Sequence, residues 1–248
     1  MASLRQRPAD ALLEQSAAVL DALRGLDAVS ADADEVAGRL VALQRALRAT
    51  LATPVAERAQ PLPAVLTLAA VAPEHPATTV GDAVEELAAH AAEVAAALAP
   101  EGLAASTVVR TPAGAATLED ALAVQLVAQV LAADDLNRSH PEPPLVPLGR
   151  GALARASRAL VAVLADRHPG RSVEVRVPPF AAVQCAIGDP GPRHTRGTPP
   201  NVVETDAVTF LRMAVGRTPW ARALASGKVT ASGLRADLTP VLPLLRRG

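Results

Sequence analysis

The run Ser172-Val173-Glu174-Val175-Arg176-Val177 decides the fold, because apolar and polar side chains alternate along it. A period of two buries one face of a strand and wets the other. Pro178-Pro179 interrupts the ladder, since proline has no N–H to donate, and Phe180-Ala181-Ala182-Val183-Gln184-Cys185-Ala186-Ile187 resumes an extended, β-prone run. A polar loop rich in Pro and Gly follows, and Asn201-Val202-Val203-Glu204-Thr205 gives a third strand. Asp206 caps a helix that carries Phe210, Leu211 and Ala214 at helical spacing and stops at Gly216. Thr218-Pro219-Trp220 opens another helix, which Gly227 ends. Lys228 to Gly233 is β-capable, and Leu234 to Leu245 reads as a closing helix. This order predicts a mixed or largely antiparallel sheet covered by helices.

Upstream the period changes to that of helices. Leu13, Ala17, Leu20 and Leu23 share one helical face, and Val36, Leu40, Leu43, Leu47 and Leu51 share another behind the caps Ser30 and Asp32. Pro61 to Pro73 is apolar and proline-bounded, and reads as a short helix or a buried loop. Thr79 caps the most regular helix, with Val80, Val84, Leu87, Ala91, Val94 and Leu98 in register. Thr117-Leu118-Glu119-Asp120 starts one with Leu122, Leu126, Val130 and Ala133. Such stripes are buried most economically in an antiparallel bundle. Pro141, Pro143, Pro144 and Pro147 mark a stiff linker, and Ala152 to Arg167 is an amphipathic helix leading into the sheet. The expected architecture is α+β in two domains: a helical bundle over 1–140, a linker over 141–150 and an α/β sandwich over 151–248.

Half of the residues are apolar, yet only 1% are aromatic, so alanine and leucine must fill most of the core. A net charge of −1 lacks the footprint of a nucleic-acid binder. Lys228 is the sole lysine, which reads as codon bias in a GC-rich genome. One cysteine, Cys185, excludes an intrachain disulfide and fits a reducing cytoplasm. No run is long enough for a membrane span and the start lacks a signal-peptide pattern, so a cytoplasmic protein without stable membrane insertion is expected. The sequence leaves the oligomeric state open.

Taken together, Val175-Arg176-Val177-Pro178-Pro179-Phe180-Ala181-Ala182-Val183-Gln184-Cys185, Arg193 to Asp206 and Ala225-Ser226-Gly227 resemble sterol carrier domains, and within them the bacterial orthologue branch found in high-GC actinobacteria. The resemblance covers roughly the last 100 residues, one domain's worth. It implies a lipid-binding cavity between sheet and helices, and hence non-enzymatic carriage of a fatty acyl, lipid or sterol-like molecule. The lining expected on this basis is Phe180, Val183, Phe210, Leu211, Trp220 and Leu242, with Arg193 or Arg196 at the mouth to receive a head group through their forked donors. No cofactor is implied.

Val108 to Gly114, with the helix that ends in Val130-Leu131-Ala132-Ala133-Asp134-Asp135-Leu136, resembles the N-terminal bundle of mycothiol-dependent maleylpyruvate isomerases, a DinB-type fold. Members often hold a divalent metal through three histidines, and Ala132 stands at one of those positions, so the expected bundle is a degenerate one without a metal. The alternatives are a metal- and thiol-dependent isomerase or transferase sited in the bundle, and a protein interaction module. His90 flanks an apolar stripe, while His75 and His140 sit beside prolines, an arrangement more typical of boundary hydrogen bonds than of a metal centre. Cys185 with His194 could pair as nucleophile and base, but a cysteine between Val183 and Ile187 reads as a small buried hydrophobe. No catalytic residue is assigned.

Overall fold

The structure is a computed structural model that describes residues 7–26, 30–69, 75, 77–142, 145–187 and 201–245. It divides into two compact units, residues 1–61 with 72–152, and residues 62–71 with 153–248.

The first unit contains α1 (Pro8–Arg24), α2 (Ala31–Leu51), α4 (Val80–Ala97) and α5 (Leu118–Ser139). Each of α1 and α2 packs against both α4 and α5, so the four helices form a ring with α1 and α2 across from one another. Hydroxyl caps start three of them: Ser30 Oγ accepts from Ala33 N–H, Thr79 Oγ1 from Asp82 N–H and Thr117 Oγ1 from Asp120 N–H. Each satisfies a first-turn donor that the helix itself leaves open. Helix α5 is apolar around most of its circumference and is buried accordingly, with Leu118, Leu122, Leu126, Val130 and Leu136 in the core. Ala132 is part of that core, packed with Ala133 and Leu136. Across the bundle Arg39 donates to Asp135 at 2.7 Å.

Two features of this unit are invisible to helical periodicity. A hairpin, β1 (Val108–Thr111) and β2 (Gly114–Thr117), precedes α5, and Pro54 bridges to Val109 at its edge. Gly114 takes φ +113° as β2 begins, where a side chain would meet the Gln60 amide. Secondly, the proline-rich segment before α6 is held by two carboxamides. Asn137 Nδ2 donates to the Val146 carbonyl at 2.9 Å while its Oδ1 accepts from Val146 N–H at 2.7 Å. Gln15 does the same for the Pro147 carbonyl (3.2 Å) and Gly149 N–H (2.9 Å), each amide replacing a missing strand partner.

The second unit comprises α3 (Leu62–Ala69), most of α6 (Arg150–Arg167), and the sheet with its helices. Strands β3 (Val173–Val177), β4 (Ala181–Cys185), β5 (Val202–Thr205) and β6 (Val229–Ser232) lie in the order β4-β3-β5-β6. The β3–β5 pair is parallel and the others are antiparallel, a mixed sheet. Pro178-Pro179, with a cis bond, makes the β3–β4 turn, and Phe180 N–H donates to the Val177 carbonyl. Helix α7 (Ala207–Ala214) starts on Asp206, whose carboxylate accepts from both the N–H and the hydroxyl of Thr209. Gly216 follows it with φ +76°, in the left-handed region where glycine carries no steric penalty. Helix α8 (Trp220–Ala225) begins after Pro219, which stands at the cap position without a side-chain bond, in place of the cap expected from Thr218.

The closing helix expected over Leu234 to Leu245 does not form; turns and irregular chain replace it. The spacing of Leu238, Val241, Leu244 and Leu245 is helical and all four are buried, but Pro240 and Pro243 remove two donors and the Leu242-Pro243 bond is cis. One turn survives, with Leu242 N–H donating to the Leu238 carbonyl, and Leu245 N–H is taken by the Ala214 carbonyl. Arg167, at the end of α6, donates to the Leu244 carbonyl and to Thr67 Oγ1 of α3, joining three segments of this unit.

Candidate ligand-binding site

Register places Val173, Val175, Val177, Ala181, Val183, Cys185, Val203, Thr205, Val229 and Ala231 on one face of the sheet. The centre of that face is closed: Val173, Val175, Val177, Cys185 and Val203 are fully buried. Its β4 edge is not, for Ala181 and Val183 are half-buried, as is Phe180 in the adjoining turn. The opposite face carries Glu174, Arg176, Gln184, Glu204, Thr230 and Ser232 and is wet. Arg176 Nε donates to Glu174 at 2.9 Å, and its guanidinium is held further above its ordinary range by that hydrogen bond and by the charges of Glu174 and Glu204. Only the apolar face can desolvate an alkyl chain.

The expected lining residues divide accordingly. Phe210 and Leu211 of α7 and Trp220 of α8 are buried, at 0%, 2% and 8% exposure. Phe180 and Val183 are half-buried at the β4 edge, and Leu242 is half-buried in the C-terminal segment. Arg193 and Arg196, expected at the mouth, lie outside the described residues, as does His194. Burial pushes the Cys185 thiol up to about 11, so it stays protonated and serves as packing.

Sequence reasoning missed Asn201, whose buried carboxamide ties together the starts of β3 and β5 and the chain after β6. Its Nδ2 donates to the Ser172 carbonyl at 2.7 Å and its Oδ1 accepts from Arg235 N–H at 2.9 Å. Ser172 Oγ in turn accepts from Ile187 N–H at 3.1 Å and donates to the Cys185 carbonyl. The signal was an asparagine opening a β-branched run, a position that accepts many residues when exposed.

In the helical unit the three histidines stay apart. His90 Nδ1 lies 3.3 Å from Glu93, and His140 contacts Ser30 and Ser139. Among the described residues no group of three or more His, Cys, Asp or Glu could hold a metal ion. The unit does contain a cavity of about 260 Å³ between α1 and α4, floored by α2 and by Gln129 of α5. Of the stripe read on α1, Leu13, Ala17 and Leu20 line this cavity while Leu23 is buried in the core, which α1 also fills with Leu12 and Val19, the latter reaching the cavity as well.

Residues 149–244 match a family model described as bacterial SCP ortholog. The match spans α6, the sheet and its helices, the segment that carries the sterol-carrier resemblance, and it does not extend over the bundle. No curated protein matches the chain. Among the described residues no helix is long and apolar enough to cross a membrane.

Proposed function

We propose that the protein binds and carries a hydrophobic small molecule, a fatty acyl, lipid or sterol-like compound, on the apolar face of the C-terminal sheet. The observation that carries this reading is the match of residues 149–244 to the bacterial SCP ortholog family, and the half-buried rim at β4 supports its placement. Phe180, Val183 and Leu242 form the accessible part of the lining, with Phe210, Leu211 and Trp220 behind them as the apolar wall. Arg193 or Arg196 receives an acidic head group. Each methylene taken out of water contributes about 0.8 kcal/mol, so an alkyl chain supplies the affinity and the head group the orientation.

Trp220 is the chain's single tryptophan and serves as an internal donor. Titration with cis-parinaric acid is expected to give saturable energy transfer from Trp220. Val183→Glu, at a half-buried edge position that tolerates a charge, is expected to abolish the transfer while leaving the circular dichroism spectrum unchanged. Absence of saturable transfer in the folded wild-type protein contradicts the reading.

A further inference from the structure

The half-buried edge at β4 carries a cation that no carboxylate among the described residues holds. Helix α6 presents Arg158 to the β3–β4 turn, where its Nε donates to the Phe180 carbonyl at 3.1 Å. That carbonyl belongs to the peptide joining Phe180 to Ala181, so the guanidinium stands at the start of β4, whose Ala181 and Val183 lie on the apolar face of the sheet. A carbonyl satisfies one donor and neutralises no charge. On α6 itself the residues three and four away are Ala154, Arg155, Val161 and Ala162, none of them acidic, and the helix's one acid, Asp166, lies more than two turns on. Arg158 is exposed, and its Nη1 and Nη2 have no hydrogen-bond partner among the described residues.

The guanidinium is a rigid planar fork that stays charged in proteins. With Nε engaged, the end of the fork keeps its donors, and two parallel N–H groups there match the oxygens of a carboxylate or a phosphate. Pockets with apolar walls use a few such polar groups to fix the orientation of a ligand. The bond to the Phe180 carbonyl holds this fork at the one edge of the apolar sheet face where Phe180 and Val183 are only half-buried. Resting on the carriage reading above, we propose that the molecule carried is an anionic amphiphile, a long-chain carboxylate or phosphate monoester, and that Arg158 sets this specificity by receiving the head group at the β4 edge, in addition to the loop arginines.

The probes are cis-parinaric acid and its methyl ester, alike in chain but differing in charge, titrated into the full chain at about pH 8, where a carboxyl is ionised. Wild type is expected to bind the acid about tenfold or more tightly than the ester, the worth of a charge-assisted hydrogen bond. In Arg158→Gln the acid-to-ester ratio should fall about tenfold, while the affinity for the ester and the circular dichroism spectrum stay as in wild type. Arg158→Lys, which keeps the charge but not the fork, should retain an intermediate ratio. Palmitate or hexadecyl phosphate should displace the bound ester ahead of hexadecanol, and the better of the two names the oxyanion. A role confined to holding the turn would weaken acid and ester alike. That result, an unchanged ratio in Arg158→Gln, or a wild type that binds the ester as tightly as the acid overturns the proposal and leaves carriage standing. Folded wild-type protein that binds neither probe overturns carriage, and the proposal with it.

Discussion

The two units fill their cores with different materials. The helical unit has no aromatic residue and packs alanine, valine and leucine stripes, whereas Phe180, Phe210 and Trp220 all fall in the sheet unit. Small side chains let helix backbones approach closely but fill space in small increments, and gaps persist where two alanine-bearing faces meet. That is where the cleft between α1 and α4 lies, beside Ala17, Ala91 and Ala95. In the sheet unit Phe210 and Trp220 are buried, α8 packs against β6, and what stays half-buried is Phe180 with Ala181 and Val183 at the β4 edge. The polar accounting differs too. Single carboxamides clamp extended chain in both units, Gln15 and Asn137 in the first and Asn201 in the second, but hydroxyl caps carry the helix starts mainly in the first.

The contrast is tested most forcefully by removing bulk. Phe210→Ala should cost about 3–5 kcal/mol in urea-induced unfolding of the sheet unit, as expected for a fully buried aromatic ring. Loss of under 1 kcal/mol would show that the aromatic does not anchor this core. Asn201→Ala comes next: it strands the Ser172 carbonyl and Arg235 N–H, and a cost of about 2 kcal/mol in the same assay is expected. Ser157 of α6 is buried with its hydroxyl unpartnered, so Ser157→Ala should leave stability unchanged or raise it by up to about 1 kcal/mol.

The smallest effect concerns charge on the helical unit. Hydrogen bonds from Arg45 and Arg48 hold the Glu86 and Glu93 carboxyls below their ordinary range, and Arg7 does the same for Asp10. A depressed carboxylate stabilises the fold above its unfolded pKa, near 4, and the contribution is lost as pH falls through the lower folded value. Thermal unfolding should therefore shift downward on acidification below about pH 4, and the shift should shrink in an Arg45→Gln, Arg48→Gln variant. Because these pairs are exposed, salt should mask most of it.

Much of this architecture was legible in sequence. Alternation along 173–177 tells the buried face of β3 from the wet one, and Ser30, Thr79, Thr117 and Asp206 announce the helices they cap, because both signals are local. The closing helix expected over Leu234 to Leu245 fails for a reason also local: Pro240 and Pro243 remove two backbone donors from that leucine-rich stretch. The β1–β2 hairpin carries little signal because three of the four residues of β2, Gly-Ala-Ala-Thr, are depleted in strands. The amide clamps of Gln15 and Asn201 depend on partners tens of residues away, which no periodicity encodes. Of the candidate site, composition shows only that the aromatics fall in the sheet unit and their lining role is proposed from the family resemblance, while the division of the sheet face into a closed centre and a half-buried β4 edge required the strand order.

Carriage of a hydrophobic molecule by the sheet unit is tested by native mass spectrometry of the freshly purified protein, followed by organic extraction. A lipid adduct is expected that is present in wild type, retained in Ala91→Phe and lost in Val183→Glu. Wild-type protein that is folded, adduct-free and unable to take up cis-parinaric acid would contradict it.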